Sequence, residues 1–104
     1  MSRTVWKYDI PITGADVAVP RGGQVVHVAS QDTARPDLVS VWVEVDPDAA
    51  DGATTLRRFR VIGTGHPVPD TEEDFAMFVG TALALRGTLV WHVYELQDRG
   101  ALNR

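Results

Sequence analysis

The sequence contains no cysteine. Disulfide cross-links and thiolate metal sites are therefore excluded, and packing and hydrogen bonding must hold the fold. Lysine is almost missing too: of ten basic residues, nine are arginine and Lys7 is the tenth. The longest apolar-rich run, Ala76 to Leu85, is about half the length a helix needs to span a bilayer. The opening "MSRTVWKYDI" has no apolar core of the kind a signal peptide carries. Internal repeats, low-complexity tracts and heptads are all absent from the sequence. The formal net charge of −4 argues against a general nucleic-acid binder, which needs a basic face. These absences lead us to expect a soluble, cytoplasmic protein with no membrane or general nucleic-acid partner, and no motif calls for a cofactor.

What is present is mostly period two, the signature of strands. The 104 residues suit one domain able to bury roughly 60–70% of its unfolded surface. In "TVWKYDI", Trp6, Tyr8 and Ile10 share one face, opposite Val5, Lys7 and Asp9, until Pro11 stops the strand. "ADVAVP" and "QVVHVAS" read as short strands separated by the turn "RGG". "LVSVWVEV" puts Val39, Val41, Val43 and Val45 on one face, with Ser40, Trp42 and Glu44 on the other. "DPDAADGATT" is a loop rich in Asp-Pro and Asp-Gly turn signals. In "LRRFRVIG", Phe59 and Val61 oppose Arg58, Arg60 and Ile62, while Arg57 points away from Arg58 or belongs to a turn. "GTLVWHVYEL" is apolar on both faces and should be a central strand.

The segment from Thr71 to Leu85 carries both periodicities. Phe75, Phe78, Val79, Ala82 and Leu83 have helical spacing, and Thr71 with Asp74 could form a capping box. Met77, Val79, Thr81, Leu83 and Leu85 also alternate, and Gly80 and Thr81 weaken a helix. One helical turn near Glu72 to Ala76, then a strand over 77–84 and a tight "LRGT" turn, is the reading we prefer. The expectation is a mainly antiparallel all-β domain, a compact β-sandwich or small barrel, with at most one short helical turn near 71–76. Residues 1–97 would form the domain and 98–104 a polar C-terminal tail.

Four groups of residues invite a functional reading. "VIGTGHPVPD" contains Gly63, Gly65 and His66, and a nest of amides there could hold an anion. It fails the dinucleotide fingerprint, because Val68 stands where the third glycine should be, and it lacks the Gly-Lys-Ser/Thr of a Walker A loop. The simpler reading is a bend that leaves extended through Pro67 and Pro69. His27, His66 and His92 show no short ligand spacing, so no metal site is expected. Arg58 and Arg60 would lie near Trp42 and Glu44 if their strands were neighbours, forming a cross-strand recognition patch. Trp6, Tyr8, Phe59, Phe75, Phe78 and Trp91 are expected in the core; Trp42 alternates with polar residues and is expected at the surface or under a partner.

An aromatic-"KY" near the start, "VDP" in mid-chain, "RFRVIGTGHPVP" and "GTALALRGTLVWHVYE" resemble a family of small uncharacterised proteins. Bacteriophages, notably those of actinobacteria, and prophages encode them. The resemblance covers most of the chain and is most specific in "GTGHP" and "LVWHV.E". It implies a phage origin and a compact domain of unknown function, and it brings no catalytic residues. The class expected from all this is a non-catalytic phage accessory protein that binds a host protein, a small ligand or a second copy of itself. A virion or assembly component is the alternative, followed by an anion- or nucleotide-binding protein using the 58–66 region. An enzyme is the least supported class. Trp42, Glu44, Arg58, Arg60, Gly63, Gly65 and His66 are the candidate binding residues.

Overall fold

Strict alternation of valine with polar residues in "LVSVWVEV" makes one uniformly apolar face. The computed structural model, which describes residues 3–48 and 52–102, turns that face fully inward: Val39, Val41 and Val43 are 0% exposed. The chain forms β1 (Thr4–Pro11), β2 (Ala15–Pro20), β3 (Gln24–Ala29), β4 (Leu38–Val45), β5 (Thr54–Gly63), β6 (Asp74–Ala84) and β7 (Leu89–Asp98). A 3-10 turn at Leu85–Gly87 links the last two strands, and a single helical turn, α1 (Arg99–Leu102), follows. All pairings are antiparallel. The first sheet has the order β1-β4-β3 and the second β2-β5-β7-β6. The Cα envelope is 16 Å along its shortest axis, as befits two sheets stacked about 10 Å apart. The fold is the expected all-β sandwich, with sheets that do not close into a barrel. No helix among the described residues is long and apolar enough to cross a membrane.

Ile10 from β1, Val28 from β3 and the four valines of β4 meet Val19, Phe59, Ala82 and Val93 from the second sheet. β7 lies between β5 and β6, as its two apolar faces led us to expect. Among the described residues only two pairings, β3–β4 and β6–β7, join strands consecutive in the chain. β4 and β5 follow one another in sequence yet lie in different sheets.

Two local expectations are corrected. Residues 72–76 form no helical turn, and β6 starts at Asp74. The Thr71 hydroxyl does accept from the amides of Glu73 and Asp74, at 3.2 and 2.9 Å, but it caps a bend. The β-branched and glycine positions that follow then continue as strand, paired along its length with β7. The aromatic core is also smaller than expected. Phe59 is fully buried, and Tyr8 and Trp91 pack partly against the core. Trp6, Phe75 and Phe78 are 42%, 40% and 56% exposed. Phe78 lies on the outer face of the second sheet beside Tyr94, in an edge-on contact with ring centroids 5.6 Å apart. Phase places an aromatic on a face; it does not say whether the opposing sheet reaches that far.

At the C-terminal end, β7 runs to Asp98, one residue past the expected boundary. The Arg99 amide donates to the Glu73 carbonyl at 2.9 Å, and its Nε donates to the Thr71 carbonyl at 3.0 Å. Residues 103–104 of the expected tail, and 49–51 of the long loop, lie outside the described residues.

The two sheets approach closely at Gly80, in the β-bulge of β6. A Cβ there would sit 2.9 Å from Val28 Cγ2 and 3.0 Å from Val28 Cβ. Gly80→Ala is therefore expected to force β3 and β6 apart, lowering stability by about 1–3 kcal/mol in urea unfolding.

Candidate interaction surface

Alternation fixes the direction of each candidate side chain, but topology decides which of them meet. Trp42 and Glu44 lie on the outer face of the first sheet, where Lys7, Trp42 and His27 form one cross-strand row. The Trp42 indole is half-buried and tilted against His27, with centroids 5.3 Å apart. Glu44 accepts from Arg3 at 2.7 Å. Arg58 and Arg60 lie on the outer face of the second sheet. The four-residue patch is therefore split across opposite faces of the sandwich, because β4 and β5 are not neighbours.

Each of these arginines is already held by a carboxylate. Arg58 grips Asp74 through two hydrogen bonds of 2.8 and 3.1 Å. Arg60 donates to Asp16 Oδ1 at 2.9 Å and to the Phe59 carbonyl at 2.8 Å. The Arg58 guanidinium holds the Asp74 carboxyl below its ordinary value of 3.8. With both positive charges so compensated, the 58–66 region offers little pull on an anion.

Gly63, Gly65 and His66 form a turn in which the His66 amide donates to the Gly63 carbonyl at 3.2 Å. Gly65 has φ +90°, which glycine adopts without strain. The His66 ring lies over the bare Cα of Gly63, on the side where Trp91 packs. His27 and His92 occupy outer faces of different sheets. His92 is seated between two hydroxyls, Thr64 Oγ1 at 2.8 Å and Thr81 Oγ1 at 3.0 Å.

Sequence reasoning missed the most buried charges. Arg57 does point away from Arg58, as expected, but it is not in a turn: it is an inward-facing residue of β5, two places before Phe59. Its Nε and Nη2 both donate to the carboxylate of Glu95, which is 3% exposed, the Nη2 bond measuring 2.8 Å. Its Nη1 donates to the Gly23 carbonyl at 2.8 Å. The guanidinium also lies 6.0 Å from the Phe59 ring centroid. One side chain thus joins β5 to β7 and the second sheet to the turn that opens β3. Tyr8 feels both surroundings: burial pushes its phenol up, and the nearby Arg57 charge acts in the opposite direction. The pair forms part of the lining of an open groove of about 540 Å3, together with Gly23, Gln24, Thr55 and Met77. Because Arg57 and Glu95 satisfy one another, the groove presents neither as a free charge. The only sequence signal was the glutamate phase in "VWHVYEL", where Glu95 shares a face with Trp91 and Val93.

The four sheet edges differ sharply. β1 carries Lys7 and Asp9 and ends in Pro11; β2 carries Asp16 and ends in Pro20. β3 has six residues and is broken by a bulge. Charge, proline, shortness and bulges are the ordinary protections of an edge. β6 has eleven residues, with no proline and no charge after Asp74. It exposes Phe75, Met77, Phe78 and Leu83, the last at 62%.

Among the described residues, fold and surface together define a seven-stranded, open β-sandwich whose sheet-face arginines are paired with carboxylates and whose longest edge is apolar. The chain belongs to the family described as a domain of unknown function, DUF7352, which matches residues 1–104. No curated protein and no solved structure matches it.

Two measurements check the charged contacts. Glu95→Gln or Arg57→Met should each lower stability in urea by about 3–5 kcal/mol, the cost of stranding one member of a buried pair. The double change Arg57→Met with Glu95→Leu should recover most of that loss. For Asp74, a carboxyl held below its unfolded value stabilises the fold above that value and loses the effect as pH falls through the folded one. Asp74→Asn should therefore lower Tm at neutral pH, and the gap to the unaltered protein should close as the buffer is taken below 3.8.

Proposed function

We propose that this chain is a non-catalytic protein-binding module, encoded by a phage as an accessory protein and acting in the cytoplasm of the infected cell. The observation that supports the reading is the contrast between β6 and the other three edges. An eleven-residue strand whose edge backbone is open beyond Ala76 and which carries four exposed large apolar side chains is costly for a monomer to leave uncovered. Edge addition supplies affinity through main-chain hydrogen bonds and specificity through alternate side chains. Phage origin rests on the sequence resemblance alone.

A photo-crosslinking residue at Phe78, in cells producing the protein during infection, tests the module. A discrete polypeptide adduct is expected, much stronger than that from the same residue at Arg21 in the β2–β3 turn. Equal, diffuse labelling from both positions would overturn the reading.

A further inference from the structure

Along the outer edge of β6, hydrogen bonding already used near its start shows which residues face away from β7. The Ala76 amide is taken by Asp70 Oδ1 at 2.7 Å, and the Asp74 carbonyl accepts from Thr71 N at 2.9 Å. Residues 74 and 76 therefore point to the open edge, and Phe78 follows them in the same phase. The bulge at Val79 then shifts the phase by one, so that Thr81 and Leu83 face the edge. The same shift governs side chains. Phe78 and Thr81 lie on the outer face, opposite Tyr94 and His92; Met77 and Ala82 lie on the inner face, opposite Glu95 and Trp91.

We infer that β6 pairs antiparallel with β6 of a second copy, about a two-fold axis at the Val79–Gly80 bulge. The inference rests on the binding-module reading and names its partner. In this register Phe78 lies opposite Thr81 of the second copy and Met77 opposite Ala82, and the two-fold repeats both pairs. Each opposed pair sets a large side chain against a small one, on matching faces, and Phe78 and Thr81 are both edge-facing, as a hydrogen-bonded pair requires. Such a contact closes on itself, as an isologous dimer must.

Charge agrees with the same alignment. Continuing the register brings Arg86 of one copy towards the acidic segment of the other, Asp70 with Glu72 and Glu73. Among the described residues none of these four takes part in an ion pair within the chain. The hydrogen bonds of Asp70 and Thr71 end the ladder at Met77, so the partner strand leaves after Ala82 and the arginine side chain spans the gap. No like charges face one another between Met77 and Ala82, because that stretch has none. The second sheets of the two copies become one sheet of eight strands.

The absence of cysteine makes the register directly testable. Met77→Cys with Ala82→Cys places thiols directly opposite each other in a non-hydrogen-bonded pair, whose Cβ separation suits a disulfide. Under mild oxidation this variant should become a covalent dimer. Met77→Cys with Ala84→Cys, shifted by two residues, should not. Native mass spectrometry of the unaltered protein should show twice the chain mass, and Thr81→Lys should return it to the monomer. Arg86→Glu should weaken dimerisation, more so at low salt. A monomeric unaltered protein, or equal cross-linking of the two cysteine pairs, would overturn the inference. If the Phe78 photoadduct contains another polypeptide and the purified protein is monomeric, self-pairing fails while the module stands. If the label goes nowhere, both fail.

Discussion

The sandwich depends on one guanidinium. Arg57 reaches across the interior to hold Glu95 on β7 and the Gly23 carbonyl at the entrance to the opposite sheet. Glutamate and arginine are expensive to bury, and the pair repays that expense only because the geometry is bidentate and the third nitrogen, Nη1, also finds an acceptor. At the other end of the sandwich, Trp91 Nε1 donates to the Pro36 carbonyl in the β3–β4 loop at 2.9 Å. Each end is thus fastened by a side chain of the second sheet donating to a backbone carbonyl in a connection next to β3 of the first: the β2–β3 turn at one end and the β3–β4 loop at the other. Between these fastenings the contact is made mainly by valine, a small side chain that offers no directional bond. Polar fastenings supply the orientation that such a core lacks.

The outside follows a different economy. Arginine, used almost to the exclusion of lysine, is matched with carboxylates across strands: Arg3 with Glu44, Arg58 with Asp74, Arg60 with Asp16. Exposed pairs of this kind contribute little to stability, but they leave the sheet faces electrically quiet. What remains for recognition is shape, apolar area and unpaired backbone, and these coincide along β6. The region that looked richest in chemistry, the turn around His66, is instead a tightly organised corner in which a glycine makes room for an imidazole.

Much of this was legible in the residues because a strand's two faces are a local property. Val39 to Val45 and the split between Phe59 and Arg58 needed no knowledge of neighbours. The β6 segment needed more, because its apolar residues satisfied two periods at once, and the long partner strand β7 settled the matter. Neighbour relations were not legible at all. Trp42 and Arg58 share a patch only if their strands are neighbours, and β4 and β5 lie in different sheets. Arg57 and Glu95 are 38 residues apart, and only tertiary structure brings them together. The exposure of Trp6 and Phe75 was equally hidden, since it depends on where the facing sheet stops, and that of Phe78 because its pairing with Tyr94 puts it on the outer face.

The wide separation of paired strands has a kinetic consequence. Only β3–β4 and β6–β7 close short loops; joining β1 to β4, β2 to β5 and β5 to β7 each ties together distant parts of the chain. Loop-closure entropy must be met before those contacts reward it, so a chain of this topology folds on the slow side for its size, in milliseconds to seconds. The two hairpins are the units able to form early, and one of them contains β6. The apolar edge is therefore present, and open, before the second sheet has been completed, so a newly made chain at high concentration meets its own copies while still assembling.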